Sequence, residues 1–145
     1  MITGGAGFIG SNLVAALTER GAEVVVCDRL GCEEKWRNLA KHPLAGFVPQ
    51  QRLFEYLPQV PRFDVVFHMG AISATTETDG DLVMDSNFNL SLNLWNWCTA
   101  QHTRYIYASS AATYGAGAQG FVDFNTTTEL ATLRPLNLYG WSKHL

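Results

Sequence analysis

The stretch TGGAGFIG (residues 3–10) sets Gly4, Gly7 and Gly10 at three-residue spacing, after a short β-branched run and before a helical stripe. Small residues at that spacing let the backbone turn tightly, let a diphosphate approach the main-chain amides, and let helix and strand pack closely. The helix start that follows offers free N–H groups and a partial positive charge to phosphate oxygens. Taken alone, such glycines also fit a plain tight turn. The next apolar run, EVVVCD (residues 23–28), narrows the choice, because it ends in Asp28. A dinucleotide site needs an acid at that point to accept hydrogen bonds from the adenosine ribose. Arg29 follows at once and Lys35 is close by, and either can grip a 2′-phosphate. The expected cofactor is therefore NADP, with NAD as the alternative that a ribose-binding acid favours.

The rest of the chain alternates strand-like and helix-like segments. Strands are expected over Met1–Thr3, Glu23–Asp28, Gly46–Val48, Asp64–Ala71 and Arg104–Ala111. Helices are expected from the Ile9, Leu13, Ala16, Leu17 stripe to Gly21, over Glu33–Lys41, over Gln51–Leu57, and over Asp81–Gln101. The last should bury Leu82, Phe88, Leu92, Trp95 and Cys98. A glycine- and threonine-rich loop is expected from Gly115 to about Thr132, and the closing PLNLYGWSKHL should begin a further helix. This rhythm specifies an α/β doubly wound parallel sheet with helices on both faces. The length of 145 residues suits one domain. The first strand is short for the centre of such a sheet, and the last helix has roughly one and a half turns, too few to stand without packing. The expectation is a partial domain over residues 1–145, drawn from a longer chain.

A formal charge of −3, with Lys and Arg scattered, argues against nucleic acid or an anionic membrane as partner. No stretch approaches the ~18 apolar residues of a membrane span. Three cysteines without a CxxC pair, and no export signal, point to a reducing, cytoplasmic setting. His68 lies inside an apolar strand and reads as a buried, hydrogen-bonded structural residue. With four histidines and no ligand spacing, no metal site is expected. Trp95 and Trp97 read as packing groups, and Asp123 and Glu129 as solvated loop charges.

The chemistry is concentrated in HMGAIS, SSAATYG and YGWSK, which this fold class should bring to the carboxyl end of the sheet. Moving a hydride from a carbinol carbon to a nicotinamide requires a base for the hydroxyl proton. A free phenol is a poor base at neutral pH, and a neighbouring ammonium stabilises its phenolate. Tyr139 and Lys143, at i and i+4 of a helix, supply that pair, and Lys143 can also reach the nicotinamide ribose. Ser110, at a strand end, is the candidate to hold the substrate oxygen.

TGxxGxxG, the acid after the second strand, the serine-rich strand end and YxxxK together resemble the extended short-chain dehydrogenase/reductase family, which includes sugar-nucleotide epimerases and dehydratases. The resemblance covers the whole chain and matches the N-terminal, Rossmann-type part of such enzymes. GAISATTETDG, YASSAATYG and PLNLYGWSKHL resemble the branch that epimerises an ADP-activated heptose at C6 for lipopolysaccharide synthesis. Thr75, Thr76 and Glu77 are the most discriminating of these residues. The resemblance implies Phe8 and Ile9 on the pyrophosphate, Asp28, Arg29 and Lys35 around the adenosine, and Met69, Gly70 and Ala71 beside the cofactor. It further implies Asn87 near the cofactor and Ser73 facing the sugar. The implied reaction is redox epimerisation through a transient ketone with tightly held NADP. A 4-epimerase or 4,6-dehydratase of the same fold is the alternative, and a non-catalytic dinucleotide-binding module a third reading. The family's further catalytic lysine and its C-terminal substrate domain do not fall in these residues, so this stretch alone is expected to bind without turnover. A homo-oligomer is an expectation by resemblance only.

Overall fold

The apolar run ending in Asp28 forms a strand buried at every position, as a central strand of a parallel sheet must be. The computed structural model describes residues 1–32, 34–60 and 62–145. Five strands, β1 (Ile2–Thr3), β2 (Val25–Asp28), β3 (Gly46–Pro49), β4 (Val65–His68) and β5 (Arg104–Tyr107), make one sheet in the order β3-β2-β1-β4-β5. Every pairing is parallel, with Ile2 level with Val26 on one side and Phe67 on the other. The strand order reverses at β1, which is where open α/β sheets bind ligands.

The chain divides into two compact units, residues 1–70 with 95–108, and residues 71–94 with 109–145. The whole sheet belongs to the first. There, α1 (Phe8–Thr18) follows the glycine turn and contributes Val14, Leu13 and Leu17 to a core with Ile2, Ala6, Val24, Val26 and Leu39. The buried line on α1 is Gly10 and Val14, so the expected stripe is shifted: Ile9 is 68% exposed. Gly10 must face the turn because its backbone lies against Gly4, and Ile9, about 100° round the helix, is thereby turned outward. A 3₁₀ turn over Glu34–Asn38 stands where a longer helix was expected; Glu33, the first residue of that expectation, lies outside the described residues. The Gln51–Leu57 expectation becomes α2 (Leu53–Tyr56) between two 3₁₀ turns, with Leu53 and Leu57 buried.

His68 is a structural residue, as its apolar strand implied. It is fully buried, its Nδ1 lies 2.5 Å from the Thr3 hydroxyl, and its ring stacks with Tyr105 and Tyr107. Trp97 packs on Phe63, but Trp95 is 56% exposed and meets only the edge of Tyr105.

In the second unit, Asp79 caps α3 (Gly80–Val83), its carboxylate accepting from the Leu82 amide at 3.0 Å. A π-helical turn over Met84–Asn89 then leads into α4 (Leu90–Ala100), whose last residues belong to the first unit. The expected single helix is therefore interrupted. A π turn holds more residues than an α turn and rotates everything after it. The buried line is Val83, Asn87, Leu90, Leu94 and Cys98, while Leu92 and Trp95 face outward. The strand expected to run to Ala111 stops at Tyr107, and a 3₁₀ turn occupies Ala111–Tyr114. Within the supposed loop lies α5 (Thr127–Leu130), built on a reciprocal cap: the Thr126 hydroxyl accepts from the Glu129 amide and donates to the Glu129 carboxylate at 2.6 Å. Asp123 accepts from the Tyr114 hydroxyl at 2.8 Å, so neither acid is merely solvated. The last element is α6 (Leu138–His144), capped by Asn137, whose Oδ1 accepts from the Gly140 amide. Among the described residues, no helix is long and apolar enough to cross a membrane.

Candidate functional site

In the first unit the glycine turn is shaped by backbone proximity. Gly4 has φ +65°, and a Cβ there would lie 2.6 Å from the Gly70 Cα. A Cβ on Gly10 would collide with the Gly4 carbonyl. Gly7 donates to that same carbonyl and serves as the N-cap of α1, with no side chain capping the helix and no acid in its first turn. The opening N–H groups of α1, from Phe8 to Gly10, thus have no intrahelical acceptor. The side chains of Phe8 and Ile9 are 85% and 68% exposed and leave this helix end uncovered. A diphosphate fits such a cradle by charge and by shape.

Asp28, 9% exposed, holds the turn in place. Its Oδ2 accepts from the Ala6 amide at 2.7 Å and its Oδ1 from the Arg29 amide at 2.6 Å. The Ala6 carbonyl is held in turn by the Asn38 side chain at 2.8 Å. Both polar groups of one residue in the loop are therefore pinned, one by the predicted acid and one by an asparagine that nothing in the sequence set apart from a surface amide. Arg29 is exposed and Lys35 half-buried. Met69 and Gly70 donate their amides to the Thr3 carbonyl and hydroxyl, which ties the end of β4 to the end of β1.

The second unit contains the remaining candidates. Tyr139 and Lys143 lie one turn apart on α6, Tyr139 half-buried and Lys143 7% exposed. Burial disfavours the charged amine and pulls Lys143 down to about 8. The Ser110 Oγ accepts from the Ala112 amide at 3.2 Å, leaving its own proton for an outside acceptor. That 3₁₀ turn is seated against α6: a Cβ on Gly140 would come within 2.7 Å of the Ala112 carbonyl oxygen. Glycine next to Tyr139 therefore permits the close approach of Ser110's turn to the tyrosine's helix. Ala71 is half-buried and Ser73 exposed.

Asn87, which the resemblance implies near the cofactor, lies in the π turn. It is fully buried, and its amide serves Ile72 and Ser142. Ser142 escaped sequence reasoning, although its place between Tyr139 and Lys143 was a signal. Cys27 and Cys98 are buried thiols raised by burial to about 12 and about 11, so neither is a nucleophile at neutral pH. Among the described residues, no group of three or more His, Cys, Asp or Glu could hold a metal.

Comparison with known proteins adds to this geometry. The model of the NAD dependent epimerase/dehydratase family matches residues 1–145. An ADP-L-glycero-D-manno-heptose-6-epimerase of Fusobacterium nucleatum is 46% identical over 99% of this chain, and the match spans 44% of that protein. The crystal structure of the Helicobacter pylori ADP-L-glycero-D-manno-heptose-6-epimerase is similar with a TM-score of 0.75 and 33% identity, covering 98% of this chain and 46% of the other. A Thermus thermophilus UDP-glucose 4-epimerase, solved with NAD, gives a TM-score of 0.75 at 28% identity, covering 99% and 46%. The chain thus spans less than half the length of the relatives it matches.

Proposed function

The chain belongs to the NAD dependent epimerase/dehydratase family, and from that premise we propose that the protein inverts C6 of an ADP-activated heptose by transient oxidation. The observation that carries the choice of sugar is the 46% identity, over nearly all of this chain, with a heptose 6-epimerase. The reaction interconverts ADP-D-glycero-D-manno-heptose and ADP-L-glycero-D-manno-heptose without net oxidation.

The α1 amides and the positive end of that helix bind the cofactor's diphosphate. Asp28 keeps lone pairs for a ribose hydroxyl beyond those given to Ala6 and Arg29. The reading favours NADP over NAD, supported by exposed Arg29 next to an acid already committed to backbone amides. When bound, a nicotinamide would supply the hydride acceptor and donor for C6. Ser110 donates its hydroxyl proton to the substrate oxygen. Tyr139, as phenolate, takes the C6 hydroxyl proton as the hydride leaves, and the further lysine that the resemblance implies beyond these residues serves the reduction on the other face. Lys143, kept close by the helix, stabilises the phenolate with its ammonium.

The test is turnover by the full-length protein on ADP-D-glycero-D-manno-heptose, UDP-glucose and UDP-N-acetylglucosamine. Epimerisation of the heptose alone is expected. Preference for a UDP-sugar would replace this reading with a 4-epimerase, and binding of NADP with no turnover of any sugar would leave a non-catalytic module. The cytoplasm, where nucleotide sugars and reduced thiols coexist, is the proposed compartment, and the proposed assembly is a homo-oligomer.

A further inference from the structure

Asn87 sits in the π turn, fully buried, at the centre of a closed hydrogen-bond set. Its Oδ1 accepts from the Ile72 amide at 2.8 Å, and its Nδ2 donates to the Ile72 carbonyl at 2.9 Å. This double contact fixes which end of the amide is oxygen. The second Nδ2 proton goes to the Ser142 Oγ at 2.9 Å. A primary amide has two N–H donors, so Asn87 has none left to offer a ligand.

Ser142 is 2% exposed and equally committed. Its hydroxyl donates to the Tyr139 carbonyl at 2.8 Å while accepting from Asn87. One side-chain amide is thereby joined, through one hydroxyl, to the backbone of the residue that carries the phenol. Ser142 also immediately precedes Lys143. Asn137, the N-cap of α6, fixes one end of that helix, and the Asn87–Ser142 bond ties its buried side to the π turn.

We infer that Ser142, anchored by Asn87, is a positioning residue that fixes the rotation of α6 and so presents Tyr139 and Lys143 together. The π turn is what brings Asn87 to the buried face, and the same amide holds the Ile72 peptide, two residues after Gly70. The inference rests on Tyr139 and Lys143 being the proton-transfer pair.

The experiment compares Ser142→Ala, Ser142→Thr, Asn87→Ala and the Ser142→Ala/Asn87→Ala double variant in the full-length protein. Ser142→Ala should lower kcat by about tenfold or more while KM and dinucleotide affinity stay within about twofold, because geometry at the reacting step is lost and uniform binding is not. Ser142→Thr, which keeps the hydroxyl, should restore most of kcat. The double variant should be about as slow as the Asn87 variant alone, since the Asn87–Ser142 bond that couples the two residues is already lost there. An unchanged kcat in Ser142→Ala, a loss confined to KM, or penalties that simply multiply would overturn the inference. If Asn87→Ala does not fold, the two Ser142 variants decide. If the unaltered protein turns over no nucleotide sugar, the proposed reaction fails by itself. The positioning role is then judged by amide exchange: Ser142→Ala should speed exchange at residues 140–143 about tenfold and leave α1 unchanged, and equal rates would overturn it.

Discussion

The Ala6 amide donates to the Asp28 carboxylate at 2.7 Å, so the acid at the end of β2 is also a fastener for the glycine turn. Asp28→Ala removes the acceptor of a buried amide as well as a ribose contact. The unmet amide should cost about 1–3 kcal/mol of stability. Dinucleotide affinity should fall at the same time. Denaturant unfolding and titration calorimetry on one preparation would measure both, and loss of affinity at full stability would limit Asp28 to a ligand role.

Gly4→Ala tests the turn from the other side. Its φ of +65° opposes a side chain, and the added Cβ would press on the Gly70 backbone, which has no flexible end to yield. Destabilisation above about 2 kcal/mol with loss of dinucleotide binding is expected. Gly31→Ala is the control: the φ is +64° but nothing lies within 4 Å, so about 1 kcal/mol is expected and binding should persist.

Lys143 supplies a pH dependence with a defined sign. The unfolded chain holds this proton up to 10.5 and the folded chain only up to about 8, because burial disfavours the ammonium. Between those values the unfolded state binds more protons, so stability rises with pH through that window. The full contribution is on the order of 3 kcal/mol. Unfolding midpoints of the unaltered protein and of Lys143→Met, compared at several pH values from 7 to 10.5, should converge as pH rises. Lys143→Met should also be inactive at every pH.

Arg29 is exposed next to an acid whose oxygens already serve two amides. Arg29→Ala should weaken NADP binding by about tenfold or more, the worth of a charge-assisted phosphate contact, and leave NAD nearly unaffected. Equal loss for both cofactors would remove the proposed preference for the 2′-phosphate.

What the sequence revealed, and what it hid, follows from the range of the interactions. Gly4, Gly7, Gly10 and Asp28 are legible because strand and helix lengths fix their spacing, and the fold they imply is the parallel sheet observed. His68 was legible because a polar ring inside an apolar strand needs a partner, here Thr3. The inner face of the helix after Asp79 was not, since a π turn interrupts it at Asn87, whose partners Ile72 and Ser142 lie outside that helix. The helix at Thr127 was missed for a lesser reason: Thr126-x-x-Glu129 is a capping pattern, obscured by the surrounding glycines and threonines. Asn38 gave no sign at all, because its role is set only by where the loop carbonyl of Ala6 comes to rest.

The central claim is that a hydride leaves C6 and the same hydride returns. Full-length protein given ADP-D-glycero-D-manno-heptose deuterated at C6, in ordinary water, measures this directly by mass spectrometry of the product. The account predicts an L-glycero product that keeps its deuterium. A product that has exchanged it for solvent hydrogen would show inversion by proton removal from carbon, and would contradict the account.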